Sequence, residues 1–384
     1  MKILFLTTIL LSKKRNGSEV ATQCFIDAFR ANGHQVSVVG YLRKGDSIEH
    51  TDPDIVVVSE RYTETKTAKL YTLYWILWSF LKQLPYSSVK YCSNNYIRTV
   101  KNLLLSQSYD IAVIDHPQLF WLENLIESID KKITISHNLE HELYQETARK
   151  TNSFLLKSIY RREALLIKSQ EDRLVTRVNQ VWTVTENDAK YCSSLAGAAR
   201  AIAFTLPPAS EKLLNKPLRK NFDIGILGSW TWRANEEALK WFLESIYPKI
   251  PNSLSIHIAG KGADWLTGKY QNVHYRGIVP DAQEFMAQAK VVAIPTLSGG
   301  GIQIKTLDAI ASGSLIVATP VAVRGIFDPP QTVQVAEHPE DFAKLLVSAI
   351  ASPDVPQAFK EARDWYQARR DKFICDVARA IHEL

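Results

Sequence analysis

Short apolar runs rich in β-branched residues alternate with amphipathic helical segments along almost the whole chain. In the amino-terminal half, the predicted strands are residues 2–7, 35–39, 54–59, 110–115, 132–137 and 181–185. Apolar runs of this length, separated by helices, are typical of parallel strands that are buried on both faces. The alternation therefore predicts an α/β fold in which helices cover both faces of a doubly wound parallel sheet.

The alternation stops once and then resumes, which indicates two domains. Residues 205–220 are basic and contain three prolines, so they are the predicted linker. A second series of predicted strands follows at residues 222–228, 254–260, 273–278, 291–296, 314–319 and 332–336. We therefore predict two Rossmann-like domains, residues 1–205 and 221–364, each large enough for its own core, and a carboxyl-terminal helix over about 365–384.

A glycine-rich turn in the second series is the strongest indication of a ligand site. Gly299, Gly300 and Gly301 follow a predicted strand and precede a helix that carries Lys305 and ends at Gly313. Glycine lets the backbone approach a ligand, and the unpaired N–H groups of a helix N-terminus attract phosphate. The alternative is a turn that only joins strand to helix. Because three glycines cost backbone entropy that such a turn does not need, we predict a phosphate site to which Lys305 adds a full charge.

The residues around this turn resemble the signature of the retaining, family 4 type of glycosyltransferase, which has the GT-B fold of two facing Rossmann-like domains. The signature is Glu, seven residues, Glu and Ala-x-Ala-x-Gly. Here Asp308 replaces the second Glu in Asp-Ala-Ile-Ala-Ser-Gly, and Gly300 replaces the first. One subgroup carries Gly-Gly-Gly-Thr-Arg-x-Lys, to which Gly-Gly-Gly-Ile-Gln-Ile-Lys is similar, with Gln303 in place of Arg. The resemblance covers nearly the whole chain and is most specific over residues 222–325.

The resemblance implies that the second domain binds a nucleotide diphosphate sugar, with Gly300, Gly301, Gln303 and Lys305 as donor-binding residues. We expect Asp308 to bind ribose, because a carboxylate can accept hydrogen bonds from two vicinal hydroxyls. The alternative for Asp308 is an aspartate on the helix surface. No metal and no cofactor are expected, because the resembling family is metal-independent and no Asp-x-Asp pair stands beside a predicted strand end. The terminal helix is expected to pack back on the first domain.

A second glycine turn, at Gly228 and Ser229, also follows a strand and opens a helix. Many members of the resembling family bind the diphosphate with an Arg just after this glycine and a Lys five residues further on. This chain has Ser229 and Ala234 at those positions. Arg233 or Lys305 would then supply the missing charge, so Gly228, Ser229 and Arg233 are predicted donor-binding residues. The alternative for Arg233 is a solvated arginine in the first helical turn.

His137 is the predicted catalytic residue. It ends a predicted strand of the first domain, at the sheet edge where ligands of doubly wound folds bind. In the resembling family a histidine after the corresponding strand touches the donor sugar, and His137 matches it. The alternative is a capping cluster with Asn138 as helix N-cap. His116 is a weaker candidate, and Gly17 and Ser18 form the predicted acceptor-side loop.

Composition limits the partners. A net charge of +6 without an aromatic and basic stripe argues against nucleic acid, whereas nucleotide diphosphates and an acidic membrane surface suit it. Four scattered cysteines indicate reduced thiols, and no cleavage site follows the apolar amino terminus, so we expect a cytoplasmic protein. Residues 69–82 include Trp75 and Trp78. This segment is predicted to be either a core helix or an interfacial helix at the inner membrane face.

The resemblance, taken with these features, implies a glycosyltransferase that moves a hexose from a nucleotide diphosphate sugar to a hydroxyl of a glycan or lipid-linked acceptor, with retention, as in polysaccharide biosynthesis. Two alternatives remain open: a noncatalytic glycosyltransferase-like binding subunit and a sugar-nucleotide epimerase of the same fold. A nicotinamide-dependent dehydrogenase is disfavoured, because neither opening glycine turn contains Gly-x-Gly-x-x-Gly.

Overall fold

The computed structural model describes residues 1–10, 17–46, 52–62, 69–195, 197, 200–208, 217–299, 302–326, 328–351 and 355–384. These residues divide into two compact units. The first consists of Met1–Phe204 together with Phe373–Leu384, and the second of Thr205–Lys372.

The described residues of the first unit form a parallel sheet of seven strands. The strands are β1 (Lys2–Ile9), β2 (Gln35–Arg43), β3 (Ile55–Arg61), β4 (Ile111–Asp115), β5 (Lys131–Ser136), β6 (Gln180–Thr183) and β7 (Arg200–Ala203). Their order across the sheet is β3-β2-β1-β4-β5-β6-β7, and neighbours pair in parallel. The chain thus starts in the middle of the sheet and winds outward in both directions.

Helices cover this sheet. They are α1 (Gly17–Ala31), α2 (Lys69–Lys82), α3 (Tyr86–Val89), α4 (Asn94–Ser106), α5 (Glu140–Lys150), α6 (Phe154–Val175) and α7 (Glu186–Ser194), with a 3-10 helix at Pro117–Ile126. Ser93, Ser153 and Thr185 each accept a hydrogen bond from a backbone N–H in the first turn of α4, α6 and α7, respectively. The starts of these three helices are therefore encoded locally.

The described part of the second unit has a six-stranded parallel sheet in the order β10-β9-β8-β11-β12-β13. Its strands are β8 (Phe222–Leu227), β9 (Ile256–Ala259), β10 (Val273–Gly277), β11 (Ala289–Ile294), β12 (Leu315–Ala318) and β13 (Val333–Val335). Its helices are α8 (Arg233–Trp241), α9 (Ala282–Ala287), α10 (Ile304–Ala311), α11 (Pro339–Ala351) and α12 (Val355–His382), and α12 continues into the first unit. Ile224, Ile258 and Val291 from three neighbouring strands form the centre of the core with Phe342 of α11.

The predicted α/β class and its two parallel sheets are confirmed, and each predicted strand is present. Strand β7 was not predicted. It has only four residues, two of them alanine, and its pairing with β6 rather than its local β-propensity makes it a strand. The last helix begins at Val355, about ten residues before the predicted start.

The end of α12 packs into an aromatic cluster of the first unit. The ring of Phe373 lies 5.2 Å from that of Phe25 and 6.0 Å from that of Phe204, between ring centroids. Phe373 is 2% exposed. Two hydrogen bonds also hold this segment. The side-chain amide of Asn32 donates to the carbonyl of Ile374, and the side-chain amide of Gln180 donates to the carbonyl of Ala380.

We predict that Phe373→Ala lowers the free energy of unfolding by about 3–5 kcal/mol, because it removes a buried ring from a packed cluster. The exposed Phe154 is the matched control, and Phe154→Ala is expected to change stability by less than about 0.5 kcal/mol. Urea denaturation followed by tryptophan fluorescence measures both. Equal stability of the two variants would show that α12 does not stabilise the first unit.

Helix α2 buries one of its two tryptophans, as the core interpretation of this segment predicts for Trp75. Trp75 is 2% exposed and packs with Val89, and Trp78 is partly buried in the same small cluster. The rings therefore face the protein, where they remove apolar area from water. Among the described residues, none of the helices combines the length and the apolar character that crossing a membrane requires.

Candidate functional site

The glycine-rich segment of the second unit lies between the end of β11 and the start of α10. Gly300 and Gly301 lie outside the described residues. Gly299 has a φ of 139°, in the region that favours glycine, and its carbonyl accepts a hydrogen bond from Nη1 of Arg324 at 3.1 Å. Gln303 occupies the N-cap position of α10, where its side chain makes no capping hydrogen bond. The first backbone N–H groups of α10 therefore lack a side-chain cap at this position, as at a phosphate-binding helix.

Lys305 lies in the first turn of α10 and is largely buried. Its Nζ donates a hydrogen bond to Oδ1 of Asn235 at 3.2 Å, and among the described residues this neutral amide is its only hydrogen-bond partner. Burial lowers the pKa of Lys305 to about 8, because the ammonium has lost water without gaining a carboxylate in exchange. The small cavity beside it is also lined by Leu227, Met286, Val292, Ala293 and Ile294.

Asn235 joins the two predicted donor turns. It lies in the first turn of α8, and its Nδ2 donates to the carbonyl of Ser229 at 3.0 Å while its Oδ1 accepts from Lys305. The turn at Gly228 and the turn before α10 are therefore held together by one amide. Sequence reasoning missed Asn235 and Arg324, because neither belongs to the motifs that identified the loop.

Close packing leaves no room for a side chain at Gly228. A Cβ at this position would lie 2.8 Å from the ring of Trp230, which is 3% exposed and donates from Nε1 to the carbonyl of Ala259. A Cβ at Gly260 would in turn lie 1.8 Å from the carbonyl oxygen of Gly228. The hydroxyl of Ser229 lies 3.2 Å from that of Thr231, on the exposed side of the turn.

Arg233 and Asp308 differ in their surroundings. The side chain of Arg233 is 78% exposed and forms an ion pair with Glu237 at 2.7 Å, which is the solvated alternative of the sequence analysis. Asp308 lies in the second turn of α10, partly buried between Leu307 and Ala309, which are buried. Lys305 is thus the better placed of the two candidate cations, and Asp308 is not a freely exposed surface residue.

In the first unit, the ends of β4 and β5 bring a carboxylate and two imidazoles together. Asp115 ends β4 with no exposed surface, and Oδ1 of Asp115 lies 2.7 Å from Nε2 of His137, directly after β5. The other oxygen of Asp115 accepts hydrogen bonds from the hydroxyls of Thr7 at 2.7 Å and Thr22 at 2.8 Å. His116 follows β4, and its ring centroid lies 4.3 Å from that of His137.

This environment keeps Asp115 ionised. Burial alone would raise the pKa of Asp115, but the rings of His116 and His137 and the hydrogen bonds from His137 and Thr7 lower it to about 2. Burial lowers the pKa of His116 to about 4, so His116 is neutral near pH 7. When Nε2 of His137 donates to the carboxylate, Nδ1 of the neutral ring is the nitrogen that can accept a hydrogen bond. Nδ1 is buried and has no hydrogen-bond partner among the described residues.

His137 is not part of a capping cluster. The N-cap position of α5 is Leu139 rather than Asn138, and it makes no side-chain cap. The backbone N–H of Glu140 instead donates to Glu171 at 2.8 Å. The capping alternative for His137 is therefore wrong.

The predicted acceptor-side residues open α1 of the same unit. Gly17 is its first residue and is exposed, and Ser18 follows, partly buried. One turn later, Thr22 of α1 reaches Asp115. Asp115, Thr7 and Thr22 were not predicted, because only tertiary structure shows that the hydroxyls of β1 and α1 meet the end of β4.

Asp115, His116 and His137 are residue types that bind transition metals, and their ligand atoms lie within 4.8 Å of one another. Metal-binding histidines direct in-plane lone pairs to one point about 2 Å away. The rings of His116 and His137 face each other with an interplanar angle of 34°, and Nε2 of His137 bonds to Asp115. This arrangement favours a hydrogen-bonded Asp–His pair over a shared metal.

Residues 221–352 match the family model of glycosyl transferases group 1. No curated protein sequence is significantly similar to the chain. The match covers the second unit, which contains both glycine turns and Lys305, and it supports the predicted enzyme class, a glycosyltransferase.

Solved structures with the GT-B fold resemble the whole chain. Sucrose-phosphate synthase from Thermosynechococcus elongatus is 13% identical with a TM-score of 0.66, over 100% of this chain and 98% of that chain. HepE from Anabaena, in complex with UDP, is 12% identical with a TM-score of 0.63, over 100% of both chains. WaaG, a glycosyltransferase involved in lipopolysaccharide biosynthesis, is 17% identical with a TM-score of 0.61, over 98% of this chain and 99% of that chain. The predicted GT-B fold class is confirmed.

We predict that Asp115 makes stability depend on pH. The pKa of Asp115 falls from its ordinary value of 3.8 to about 2 in the fold, so ionised Asp115 stabilises the protein by about 2 kcal/mol above pH 4. This stabilisation is lost as the pH falls through about 2. The stability difference between the wild type and Asp115→Asn should therefore shrink by about 2 kcal/mol between about pH 5 and pH 2, in denaturant titrations.

The control for this prediction is Asp341→Asn, whose carboxylate is 60% exposed. Its stability difference from the wild type should stay nearly constant over the same pH range. A pH-independent difference for Asp115→Asn as well would contradict the ionised pair.

Proposed function

We propose that this protein transfers a hexose from a nucleotide diphosphate sugar to an acceptor hydroxyl, with the donor bound by the second unit and the acceptor by the first. The observation that carries the proposal is Lys305, a largely buried ammonium bonded to a neutral amide. A buried charge without a counter-charge is costly. A diphosphate in the loop before α10 would supply that counter-charge.

The donor site of the proposal combines both turns of the second unit. The N-terminus of α10, where Gln303 makes no side-chain cap, offers N–H groups to phosphate oxygens. Ser229 offers a hydroxyl from the turn that Asn235 ties to Lys305. Asp308 is proposed to bind the ribose hydroxyls. The UDP in the Anabaena neighbour supports a nucleoside diphosphate as the ligand class.

The proposed chemistry follows from these charges. The acceptor oxygen forms a bond to the anomeric carbon as the bond from that carbon to the phosphate oxygen breaks. The hydroxyl proton passes to the departing phosphate, on the same face of the sugar, so configuration is retained as the family resemblance implies. Lys305 and the N-terminus of α10 stabilise the negative charge that develops on the leaving diphosphate.

His137 is proposed as the catalytic residue of the first unit, and a glycan or a lipid-linked saccharide as the acceptor. The support is the Asp115 pair, which fixes the ring of His137 and leaves Nδ1 without a partner among the described residues. A buried imidazole nitrogen in this state gains free energy from a hydrogen bond to a ligand.

We predict that Lys305→Gln weakens binding of a nucleoside diphosphate by roughly 10- to 150-fold, because a charge-assisted contact is worth about 1.5–3 kcal/mol. Wild-type affinity should also fall as the pH rises above about 8, where Lys305 loses its proton. The variant should lack this pH dependence. Isothermal calorimetry with ADP, GDP, UDP and TDP at several pH values measures both effects.

Lys240→Gln is the matched control, since Lys240 is a half-exposed lysine of the same unit, paired with Glu236. It should bind the diphosphate as the wild type does. If Lys305→Gln binds with wild-type affinity, the ammonium does not contact the diphosphate and the donor site has been misplaced.

We predict that His137→Ala lowers turnover by about 100-fold or more while nucleotide affinity changes less than threefold, because positioned catalytic groups contribute on this scale. Donor consumption, with and without a saccharide acceptor, is followed by NMR of the sugar anomeric protons. His338→Ala, which changes an exposed histidine of the second unit, should keep wild-type turnover.

The same spectra separate the alternatives. Donor binding without any turnover by the wild type would favour the noncatalytic subunit. Conversion of the donor into a second nucleotide sugar would favour the epimerase. Wild-type turnover by His137→Ala would remove His137 from the catalytic site.

A further inference from the structure

Helices α2 and α6 of the first unit expose a large number of apolar side chains. Phe154 is 87% exposed, Leu155 is 69% exposed and Leu81 is 66% exposed. We name the set the α2–α6 surface. Its members are Tyr71, Tyr74, Ile76, Leu77, Phe80 and Leu81 of α2 and Phe154, Leu155, Leu156 and Ile159 of α6. Single exposed apolar residues are ordinary, but clusters on adjoining helices mark interaction sites.

Side-chain contacts near the end of α2 join it to α6. The guanidinium of Arg162 donates to the hydroxyl of Ser79 at 3.0 Å and to its carbonyl at 2.9 Å. Its Cζ lies 4.1 Å from the ring centroid of Phe80. Phe80 of α2 and Arg162 of α6 are therefore in contact, which brings the exposed side chains beside them on the two helices together.

The sequence segments that form most of this surface are basic, and the adjoining Glu146 and Glu163 pair with Lys150 and Arg162. Residues 65–109 contain six Lys or Arg and no Asp or Glu, and residues 147–162 contain five and none. These two segments hold 11 of the 46 basic residues and none of the 40 acidic ones, so the rest of the chain carries a net charge of −5. The positive charge of the protein is thus concentrated in the segments that also expose the apolar residues.

We infer that the α2–α6 surface binds a membrane that contains anionic lipid. Aliphatic and aromatic side chains gain free energy in the acyl region, and each basic residue near an anionic leaflet contributes about 1 kcal/mol. An acidic protein would match the charge but not the breadth of exposed Leu, Ile and Phe side chains. A second copy would bring the same positive charge against itself.

The orientation follows from α2. Trp75 and the partly buried Trp78 pack toward the protein, so the residues that enter the lipid are Tyr74, Leu77 and Leu81. At 14 residues, α2 is too short to span a bilayer and would lie in the plane of the interface. Lys82 at its end is exposed, at the level of the headgroups.

The test is flotation of the full-length protein with vesicles of phosphatidylglycerol and phosphatidylcholine in equal parts, compared with phosphatidylcholine alone. The wild type should partition at least about tenfold better to the anionic vesicles, and binding should weaken as salt rises from about 0.05 to 0.5 M. Leu77→Ser with Leu81→Ser should reduce binding at least tenfold, because two exposed leucines no longer enter the lipid. Lys82→Gln with Arg161→Gln should reduce it by about 30-fold.

Matched controls lie in the second unit. Ile278 is 75% exposed, and Ile278→Ser should bind vesicles as the wild type does. The same holds for Lys344→Gln with Arg363→Gln, which removes two exposed charges. Thermal unfolding and nucleotide affinity of every variant should match the wild type, so that loss of vesicle binding is separated from loss of fold or of the donor site.

Three outcomes would overturn the inference. One is the absence of flotation with anionic vesicles, and another is equal flotation of the α2–α6 variants and the controls. The third is a dimer in sedimentation that both α2–α6 variants abolish, because the surface would then be covered by a second copy.

Discussion

The placement of every polar group discussed above depends on one constraint, which is that all strands of each sheet run in the same direction. Parallel strands end at one edge, and the helix that follows each strand starts there. Helix N-termini, glycine turns and polar strand ends are thereby concentrated at that edge. In the second unit this brings the turn after β8 and the turn after β11 close enough for Asn235 to bond to both Ser229 and Lys305. In the first unit it brings Asp115 and His137 together from adjacent strands.

The buried charges of Asp115 and Lys305 are stabilised in different ways. Asp115 receives hydrogen bonds from two hydroxyls and one imidazole, so it remains ionised without a ligand. Lys305 receives only an amide oxygen among the described residues, and its pKa falls. A satisfied buried charge organises its neighbours, whereas an unsatisfied one favours a ligand of opposite charge. In the proposed function, the first cluster therefore supports His137 and the second binds the diphosphate.

The sequence alone predicted the structural features that depend on a local pattern of residues. Apolar runs predicted the two sheets, and the motif around the glycine turn identified Lys305, which the structure places beside Asn235. Local sequence pattern could not predict the features that depend on packing between distant parts of the chain. Ala201 and Ala203 become part of a strand only because β6 lies beside them. Trp75 turns inward because Val89 and Tyr86 cover it. The partners of Asp115 come from β1, α1 and β5, more than 20 residues away along the chain, and no spacing rule could have selected them.

The central claim is that the second unit holds the diphosphate of a nucleotide sugar at Lys305. The most direct measurement compares, by calorimetry, the affinity of each nucleoside diphosphate with that of its parent nucleoside. At least one diphosphate is expected to bind about 100-fold more tightly than its nucleoside, since phosphate supplies the contacts to the helix N-terminus and the ammonium. Equal affinity for nucleoside and diphosphate in every pair, or no binding of any diphosphate, would contradict the account.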